Sequence, residues 1–150
     1  MRASTFTLVT ALVVAALPLV GCNRAGTNYT KVEPAKVEHT AGSEISKVTL
    51  TEKAMERLGV KTTPIVEGKI EGAADDTPRP SVPYSAVMYV PNGDTFVYTS
   101  PSPRTFVRQP IHIDYIERDV AVLKAGPPTG TQVVSVGAAE LFGTEFGVGH

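Results

Sequence analysis

The stretch Tyr84-Ser85-Ala86-Val87-Met88-Tyr89-Val90, the tetrapeptide Pro91-Asn92-Gly93-Asp94 and the stretch Thr95-Phe96-Val97-Tyr98-Thr99 follow one another in the chain. Aromatic and β-branched residues dominate both longer stretches, which is typical of strands. Asn-Gly accepts positive φ at both central positions of a tight turn, and this is the strongest hairpin signal in the sequence. The segment therefore predicts an antiparallel hairpin over residues 84–99.

The same pattern continues on both sides of this hairpin. Further strands are predicted at residues 48–50, 60–66, 106–115, 120–123 and 132–136. Pro110 cannot donate a ladder hydrogen bond, so we expect an edge or a bulge at that point. The fold class predicted is a small, mainly β domain, built as a two-layer sheet or a partly open barrel. The core candidates are Ile65, Val87, Phe96, Ile111, Ile113, Val122 and Val134.

One or two short helices accompany the strands. The segment Glu52–Leu58 has Thr51 before it and Gly59 after it, which are a typical N-cap and a typical helix end. Residues 138–142 predict a final helical turn that ends at Gly143, and residues 143–150 are interpreted as a loose tail.

The N-terminus has the layout of a secretory signal peptide: Arg2 precedes the uncharged residues 3–20. The next residues complete the sequence Leu19-Val20-Gly21-Cys22, which resembles the lipobox of bacterial lipoproteins. The resemblance implies cleavage before Cys22 and acylation of its sulfur and its new amino group. Two or more acyl chains hold a protein stably on a bilayer, because each buried methylene contributes ~0.8 kcal/mol. We therefore expect an extracytoplasmic protein anchored to a bacterial membrane.

Two other interpretations of this N-terminus fit less well. A spanning helix requires ~20 consecutive apolar residues, whereas this run contains four Ser or Thr residues in its first half and Pro18 near its end. An ordinary signal peptide leaves Cys22 unexplained, since it is the single cysteine and cannot form an intramolecular disulfide.

Composition sets the domain organisation. Residues 1–21 are the expected signal peptide, 22–44 a lipidated flexible tether, 45–142 one β-rich domain and 143–150 a tail. Residues 68–81, rich in Gly, Asp and Pro, are predicted to form a loop. The formal net charge of −1 gives no indication of electrostatic binding to nucleic acid.

Several short segments together resemble a known family, the periplasmic adaptor subunits, or membrane fusion proteins, of resistance-nodulation-division efflux pumps. They are Val82-Pro83-Tyr84-Ser85-Ala86-Val87, Phe96-Val97-Tyr98, Arg108-Gln109-Pro110-Ile111, Gly130-Thr131-Gln132-Val133-Val134 and Gly137-Ala138-Ala139-Glu140-Leu141, with Gly126 between them. Val48-Thr49-Leu50-Thr51 through Gly59-Val60-Lys61-Thr62 is similar to the family's opening segment. In that family the two chain ends form a membrane-proximal β domain. Loop 68–81 stands where the barrel, lipoyl and hairpin domains would be inserted.

The resemblance implies a non-catalytic, adaptor-like interaction module that associates with an integral membrane transporter. We expect docking through strand edges or through the segment that carries Arg104, Phe106, Arg108, Ile111 and Ile113. Two alternatives stay open: a lipoprotein that binds a ligand or metal ion for delivery to a transporter, and a structural spacer of the envelope. The sequence leaves the oligomeric state open.

An enzymatic function is not expected, and neither is a cofactor. His39, His112 and His150 lack the spacing of metal ligands, and no G-x-S-x-G nucleophile motif is present. The Gly126-Pro127-Pro128-Thr129-Gly130 segment has no lysine, and its two prolines remove amide donors that a phosphate site would use.

Overall fold

Strands dominate the computed structural model, which describes residues 32–39, 45–68 and 77–147. The predicted signal peptide, Leu19, Val20, Gly21 and Cys22 lie outside the described residues, as does His150. Within those residues the strands are β1 (Ala35–His39), β2 (Ser46–Leu50), β3 (Lys61–Pro64), β4 (Val66–Gly68), β5 (Arg79–Pro83), β6 (Met88–Tyr89), β7 (Thr95–Ser102), β8 (Thr105–Glu117), β9 (Val120–Ala125) and β10 (Gln132–Val136). The helices are α1 (Glu52–Leu58) and α2 (Ala138–Glu145), and a 3₁₀ turn covers Tyr84–Ala86. The predicted mainly β fold class is confirmed.

The strands form one strongly curled sheet. Its order is β3-β10-β7-β8-β9-β5-β4; in addition, β2 pairs with β1 and β8, and β6 pairs with β7. Its two end strands, β3 and β4, are successive stretches of one segment separated by Ile65 alone. The Ile65 amide donates to the Thr131 carbonyl over 2.9 Å, and the Ile65 carbonyl accepts from the Gly130 amide over 2.8 Å. The sheet thus curls back to the segment where its order begins, as a partly open barrel does.

Six stretches around this curl supply the inner core. The buried residues are Ile65, Val82, Val97, Ile111, Ala121, Leu123 and Val133, with Ala86 from the 3₁₀ turn and Val87 directly after it. Each Val, Leu or Ile side chain that is fully buried contributes roughly 1.5–3 kcal/mol relative to an exposed one. Burial of these side chains inside the curl therefore stabilises the curled sheet.

A second core lies on the opposite face of β7 and β10. Strands β1 and β2 and both helices cover it, and its buried residues are Val48, Leu50, Ala54, Phe96, Tyr98, Phe106, Val134, Ala138 and Leu141. Strand β7 contributes Phe96 and Tyr98 to this core and Val97 to the inner one. Since neighbouring side chains point to opposite faces, a continuous apolar run is what a strand covered on both sides requires.

Of the predicted core residues, all but Ile113 are buried. Ile113 is half-buried and packs against the inner core. Strand β8 is also irregular next to it, with register shifts on both sides of Ile113 against β9.

Helix α1 confirms its predicted boundaries. Thr51 is its N-cap, and the Thr51 hydroxyl accepts a 3.2 Å hydrogen bond from the Ala54 amide. Gly59 ends it with φ at 59°, in the left-handed region that glycine adopts without a steric penalty. Ala54 is buried, and Met55 and Leu58 on the same face pack against the second core.

Helix α2 is longer than predicted. It continues through Gly143 to Glu145, so Gly143 does not end it, and residues 143–147 belong to the folded domain rather than to a tail. Packing explains why the helix continues beyond Gly143, because Leu141 and Glu145 lie one turn apart and both are buried. Neither this helix nor any other described one is long and apolar enough to cross a membrane.

The hairpin is confirmed, but its turn differs from the predicted one. The Gly93 amide donates to the Val90 carbonyl over 2.9 Å, and Gly93 has φ at 92°, while Asn92 is not in the positive-φ region. The Asp94 amide donates to Asn92 Oδ1 over 3.0 Å, as in an Asx turn. This geometry is a three-residue loop with glycine in the left-handed position rather than a two-residue turn.

Other predicted boundaries were wrong. Residues 84–90 are not one strand, since a 3₁₀ turn precedes the short β6, and the strand predicted at 60–66 is divided at Ile65. The predicted loop 68–81 has strand at both ends, in β4 and β5. Within the predicted tether, Ala35–His39 forms β1 and pairs with β2 over five positions. The side chains of Ala35 and Val37 pack against the second core, which makes β1 part of the domain.

Candidate functional site

A buried carboxylate joins the end of α2 to the sheet. Glu145 Oε2 accepts a 2.6 Å hydrogen bond from the Tyr98 hydroxyl in β7. Glu145 Oε1 accepts a 2.9 Å hydrogen bond from Arg108 Nε in β8. Only 1% of the Glu145 side chain is exposed, against 17% of the Arg108 side chain. Both carboxylate oxygens therefore have partners, as a charge at such depth requires.

Aromatic rings enclose the Arg108 guanidinium. Its central carbon lies 5.3 Å from the centre of the Phe96 ring and 5.0 Å from that of Phe146. Phe142 links these two rings, at centroid distances of 6.0 Å from Phe96 and 4.6 Å from Phe146. A cation over an aromatic face contributes ~0.5–2 kcal/mol, depending on how far the pair is removed from water.

The electrostatics of this cluster keep the tyrosine neutral. Burial raises the pKa of Tyr98 well above its ordinary value of 10, and its hydrogen bond to Glu145 raises it further. Tyr98 is thus a permanent hydrogen-bond donor, and it has no tendency to release a proton at physiological pH. The cluster of Tyr98, Arg108 and Glu145 is suited to holding α2 on the sheet, not to proton transfer.

An open groove of about 680 Å³ lies beside this cluster. Apolar side chains make up much of its lining, with some polar groups between them. The lining residues are Ile45, Val90, Pro91, Asn92, Gly93, Asp94, Thr95, Phe96, Arg108, Pro110, Ile111, His112 and Phe146. Two of the apolar residues are well exposed, Ile45 at 37% and Phe146 at 51%. The groove can therefore receive an apolar segment that arrives from solvent.

The course of β8 explains why the groove lies here. Strand β2 pairs with β8 as far as Val107, and β9 pairs with it from His112 onward. Pro110 lies between these stretches, at the place where the sequence predicted an edge or a bulge. A proline has no amide hydrogen for a ladder, so the two partner strands separate around it.

The predicted docking residues do not form one surface. Phe106 and Ile111 are buried in opposite cores, and of these two only Ile111 lines the groove. Arg104 is exposed in the turn between β7 and β8 with φ at 61°, and Ile113 is half-buried. Arg108 does line the groove, but its charge is paired with Glu145. The predicted set is therefore corrected to Arg108 and the buried Ile111, which both line the groove.

The sequence interpretation missed Ile45, the turn residues at 91–94 and Phe146 as parts of this groove. A signal for Phe146 was present, because Phe142 and Phe146 are four residues apart and such pairs meet on one helix face. Gly143 between them was interpreted as a helix end. No comparable sequence signal brings Ile45 to the groove, since it depends on the pairing of β2 with β8.

The histidines within the described ranges have ordinary surroundings. His39 Nδ1 lies 2.8 Å from the Ser46 hydroxyl, and His112 is exposed in β8. Asp114, on the same strand, forms an ion pair with Arg79. Among residues 32–39, 45–68 and 77–147, no group of three or more His, Cys, Asp or Glu side chains is placed to hold a metal ion.

The fold and the groove define a class: a small, mainly β domain with a barrel-like sheet, two short helices within the described residues and a groove with exposed apolar side chains. Comparison with known proteins adds no relative to this description. No protein-family model, no curated protein and no solved structure matches the chain. The functional conclusion therefore depends on the residues and on their geometry.

Proposed function

We propose that this protein is a membrane-anchored, non-catalytic interaction module that docks onto an extracytoplasmic segment of an integral membrane transporter. The observation that carries the proposal is the groove beside Arg108, where the exposed Ile45 and Phe146 flank a partly apolar lining. Exposed apolar side chains around a concave surface are typical of protein interaction sites.

The chemistry of the groove favours an apolar occupant. Arg108, the basic side chain of Lys or Arg type in its lining, is already paired with Glu145, so an acidic partner would have to compete with a buried carboxylate 2.9 Å away. An aliphatic or aromatic side chain would bury Ile45 and Phe146 without breaking that pair. Binding of this kind gains ~25 cal/mol per Å² of apolar surface removed from water.

The proposed membrane location comes from the N-terminal sequence. Leu19-Val20-Gly21-Cys22 resembles a lipobox, and acylation at Cys22 would hold the domain near a bilayer. The segments similar to efflux adaptors support a transporter as the partner. Without the family's distal domains, the module would work at the membrane surface.

Copurification tests the docking. The tagged full chain is cross-linked in intact cells, purified from membranes, and its partners are identified by mass spectrometry. Ile45→Asp places a charge in the groove, whereas Val66→Asp, at a site 54% exposed in β4, is the matched control. We expect the wild-type and Val66→Asp proteins to recover an integral membrane transporter and Ile45→Asp to recover at least tenfold less, since burying an unpaired charge is strongly unfavourable. Equal recovery with all three would contradict the proposed site.

The anchor is tested separately. Cys22→Ser removes the acceptor of the acyl chains and leaves the domain sequence unchanged. We expect this variant to move from the membrane fraction to the soluble extracytoplasmic fraction with an unaltered thermal unfolding midpoint. Retention of Cys22→Ser in membranes would show that acylation is not what holds the protein there.

A further inference from the structure

Strand β1 has one edge that no described strand covers. It pairs with β2 and with no other strand among residues 32–39, 45–68 and 77–147. Such an edge presents backbone amides and carbonyls that can pair with another chain. The positions of these groups follow from the pairing of β1 with β2.

The hydrogen-bond pattern identifies the residues that face this edge. The Thr51 amide donates to the Pro34 carbonyl over 2.9 Å, and this pair continues the register in which Ala35 lies opposite Leu50. In an antiparallel ladder, hydrogen-bonded and non-hydrogen-bonded pairs alternate. The backbone amides and carbonyls of Lys36 and Glu38 therefore form hydrogen bonds with β2. The amides and carbonyls of Ala35, Val37 and His39 point away from it, toward the uncovered edge.

The side chains of β1 divide between two faces. Lys36 and Glu38 share the outer face with Lys47, and Lys36 Nζ lies 2.7 Å from Glu38 Oε1. Val37 lies opposite the buried Val48 and packs against the second core. The edge thus presents one positive and one negative side chain, placed symmetrically on either side of Val37.

We propose that β1 pairs with β1 of a second copy of this chain, antiparallel and centred on Val37. In that register Val37 lies opposite Val37 of the second copy, and Ala35 lies opposite its His39. All three residues with outward backbone groups then form hydrogen-bonded pairs, so six amides and six carbonyls are satisfied at once. The two chains use the same surface, as a two-fold symmetric interface requires.

The charges are complementary in this register and in no other centred on a residue of β1. Lys36 lies opposite Glu38 of the second copy, and Glu38 lies opposite its Lys36. These are non-hydrogen-bonded positions, where Cα atoms approach to about 4.5 Å. Each Glu38 then has a lysine on both sides, its own Lys47 in β2 and Lys36 of the second copy. On the face that packs against the second core, the row formed by Val48 and Val37 of one chain continues as Val37 and Val48 of the other.

The pairing is small and therefore weak. Two five-residue strands bury less surface than the ~1,200 Å² of a stable interface. We expect a dissociation constant in the micromolar to millimolar range. The dimer is therefore favoured wherever the chains are concentrated. It does not depend on the proposed anchor or on the groove, since neither contributes to the edge.

Charge reversal provides a test with an internal rescue. Lys36→Glu places glutamate opposite Glu38 in its own dimer, and Glu38→Lys places lysine opposite Lys36. Each homodimer then has two like-charge pairs. A one-to-one mixture of the two variants restores both opposite-charge pairs, because one chain carries two glutamates and the other two lysines. Lys124→Glu, an exposed reversal in β9, is the control.

Sedimentation equilibrium of the detergent-solubilised full chain measures the association. We expect a wild-type dimer, about tenfold weaker association for each reversal alone, recovery in the mixture and no change for Lys124→Glu. The mixture separates this result from damage within one chain, since loss of the Lys36–Glu38 or Lys47–Glu38 pair would not be repaired by mixing. A wild-type chain that stays monomeric at millimolar concentration, or a dimer indifferent to both reversals, would overturn the proposal.

Discussion

The Tyr98 hydroxyl donates a 2.6 Å hydrogen bond to Glu145 Oε2 and so connects residues 47 positions apart. The other oxygen of Glu145 accepts from Arg108, and together the two contacts hold the last turn of α2 against β7 and β8. This turn places Phe146 at the groove. The groove therefore depends on a buried charge whose two hydrogen bonds come from different strands.

Removing the Glu145 carboxylate should destabilise the folded protein. We expect Glu145→Ala to reduce the free energy of unfolding by ~3–5 kcal/mol, because it removes the buried carboxylate that pairs with Arg108. Tyr98→Phe should cost ~1–3 kcal/mol, since one carboxylate oxygen loses its donor. Urea unfolding followed by circular dichroism measures both. Glu140→Ala, at an exposed position of the same helix, should stay within ~0.5 kcal/mol of the wild type. Equal stability of Glu140→Ala and Glu145→Ala would contradict this role for Glu145.

The inner core can be tested with two neighbouring residues. Ile65 is 1% exposed and Val66 54% exposed, although both lie in the segment that forms β3 and β4. We expect Ile65→Ala to lower stability by ~2–5 kcal/mol, since it leaves a cavity among the side chains inside the curl. Val66→Ala should change it by less than ~0.5 kcal/mol. Thermal unfolding measures both changes in stability. A larger loss for Val66→Ala than for Ile65→Ala would show that the faces of this segment are assigned the wrong way round.

Gly137 should not tolerate a side chain. It precedes α2 with φ at 91°, and an added Cβ would lie 2.9 Å from Val60 Cγ2. We expect Gly137→Ala to cost more than ~1–2 kcal/mol, because the left-handed conformation and the contact with Val60 both oppose it. Gly68→Ala is the matched control, since Gly68 has no positive φ and no atom within 4 Å of the added Cβ. Chemical denaturation of the two variants provides the comparison, and a neutral Gly137→Ala would contradict this geometry.

Glu38 should titrate at an unusually low pH. Hydrogen bonds from Lys36 and Lys47, with the charges of both lysines, lower its pKa from 4.5 to about 2. Because the folded-state value is the lower one, any stabilisation from Glu38 is complete above its unfolded pKa and is lost as the pH falls through about 2. Carboxyl ¹³C NMR can follow this titration at low salt. Lys36→Met and Lys47→Met should each raise the midpoint toward 4.5, and a wild-type midpoint near 4.5 would refute the pairing.

Local signals predicted the elements better than their assembly. Thr51 and Gly59 define α1 because capping depends on groups within a few residues. Asn92-Gly93 identified the hairpin for the same reason, although the turn type depends on φ values that the dipeptide alone does not determine. Gly143 misled the prediction of α2, because burial of Leu141 and Glu145 outweighs the helix penalty of one glycine.

The candidate site was less predictable because it combines distant segments. The docking residues suggested by the sequence included both Phe106 and Ile111. These residues are an odd number of positions apart in one strand, so their side chains point to opposite faces. The groove instead depends on long-range pairing, which brings the region before β2 and the end of α2 to the middle of β8. Arg108, Pro110 and the four-residue spacing of Phe142 and Phe146 were parts of this site that the sequence could indicate.

Site-specific photo-cross-linking from the groove tests the central claim most directly. A benzophenone side chain is introduced at Phe146, 51% exposed in the groove, or at Val66, 54% exposed in β4, and the full chain is irradiated in living cells. We predict that position 146 yields a covalent adduct with an integral membrane transporter and that position 66 does not. The adduct should disappear in the Ile45→Asp background. Adducts of equal yield from both positions, or none with a membrane protein from position 146, would contradict docking through this groove.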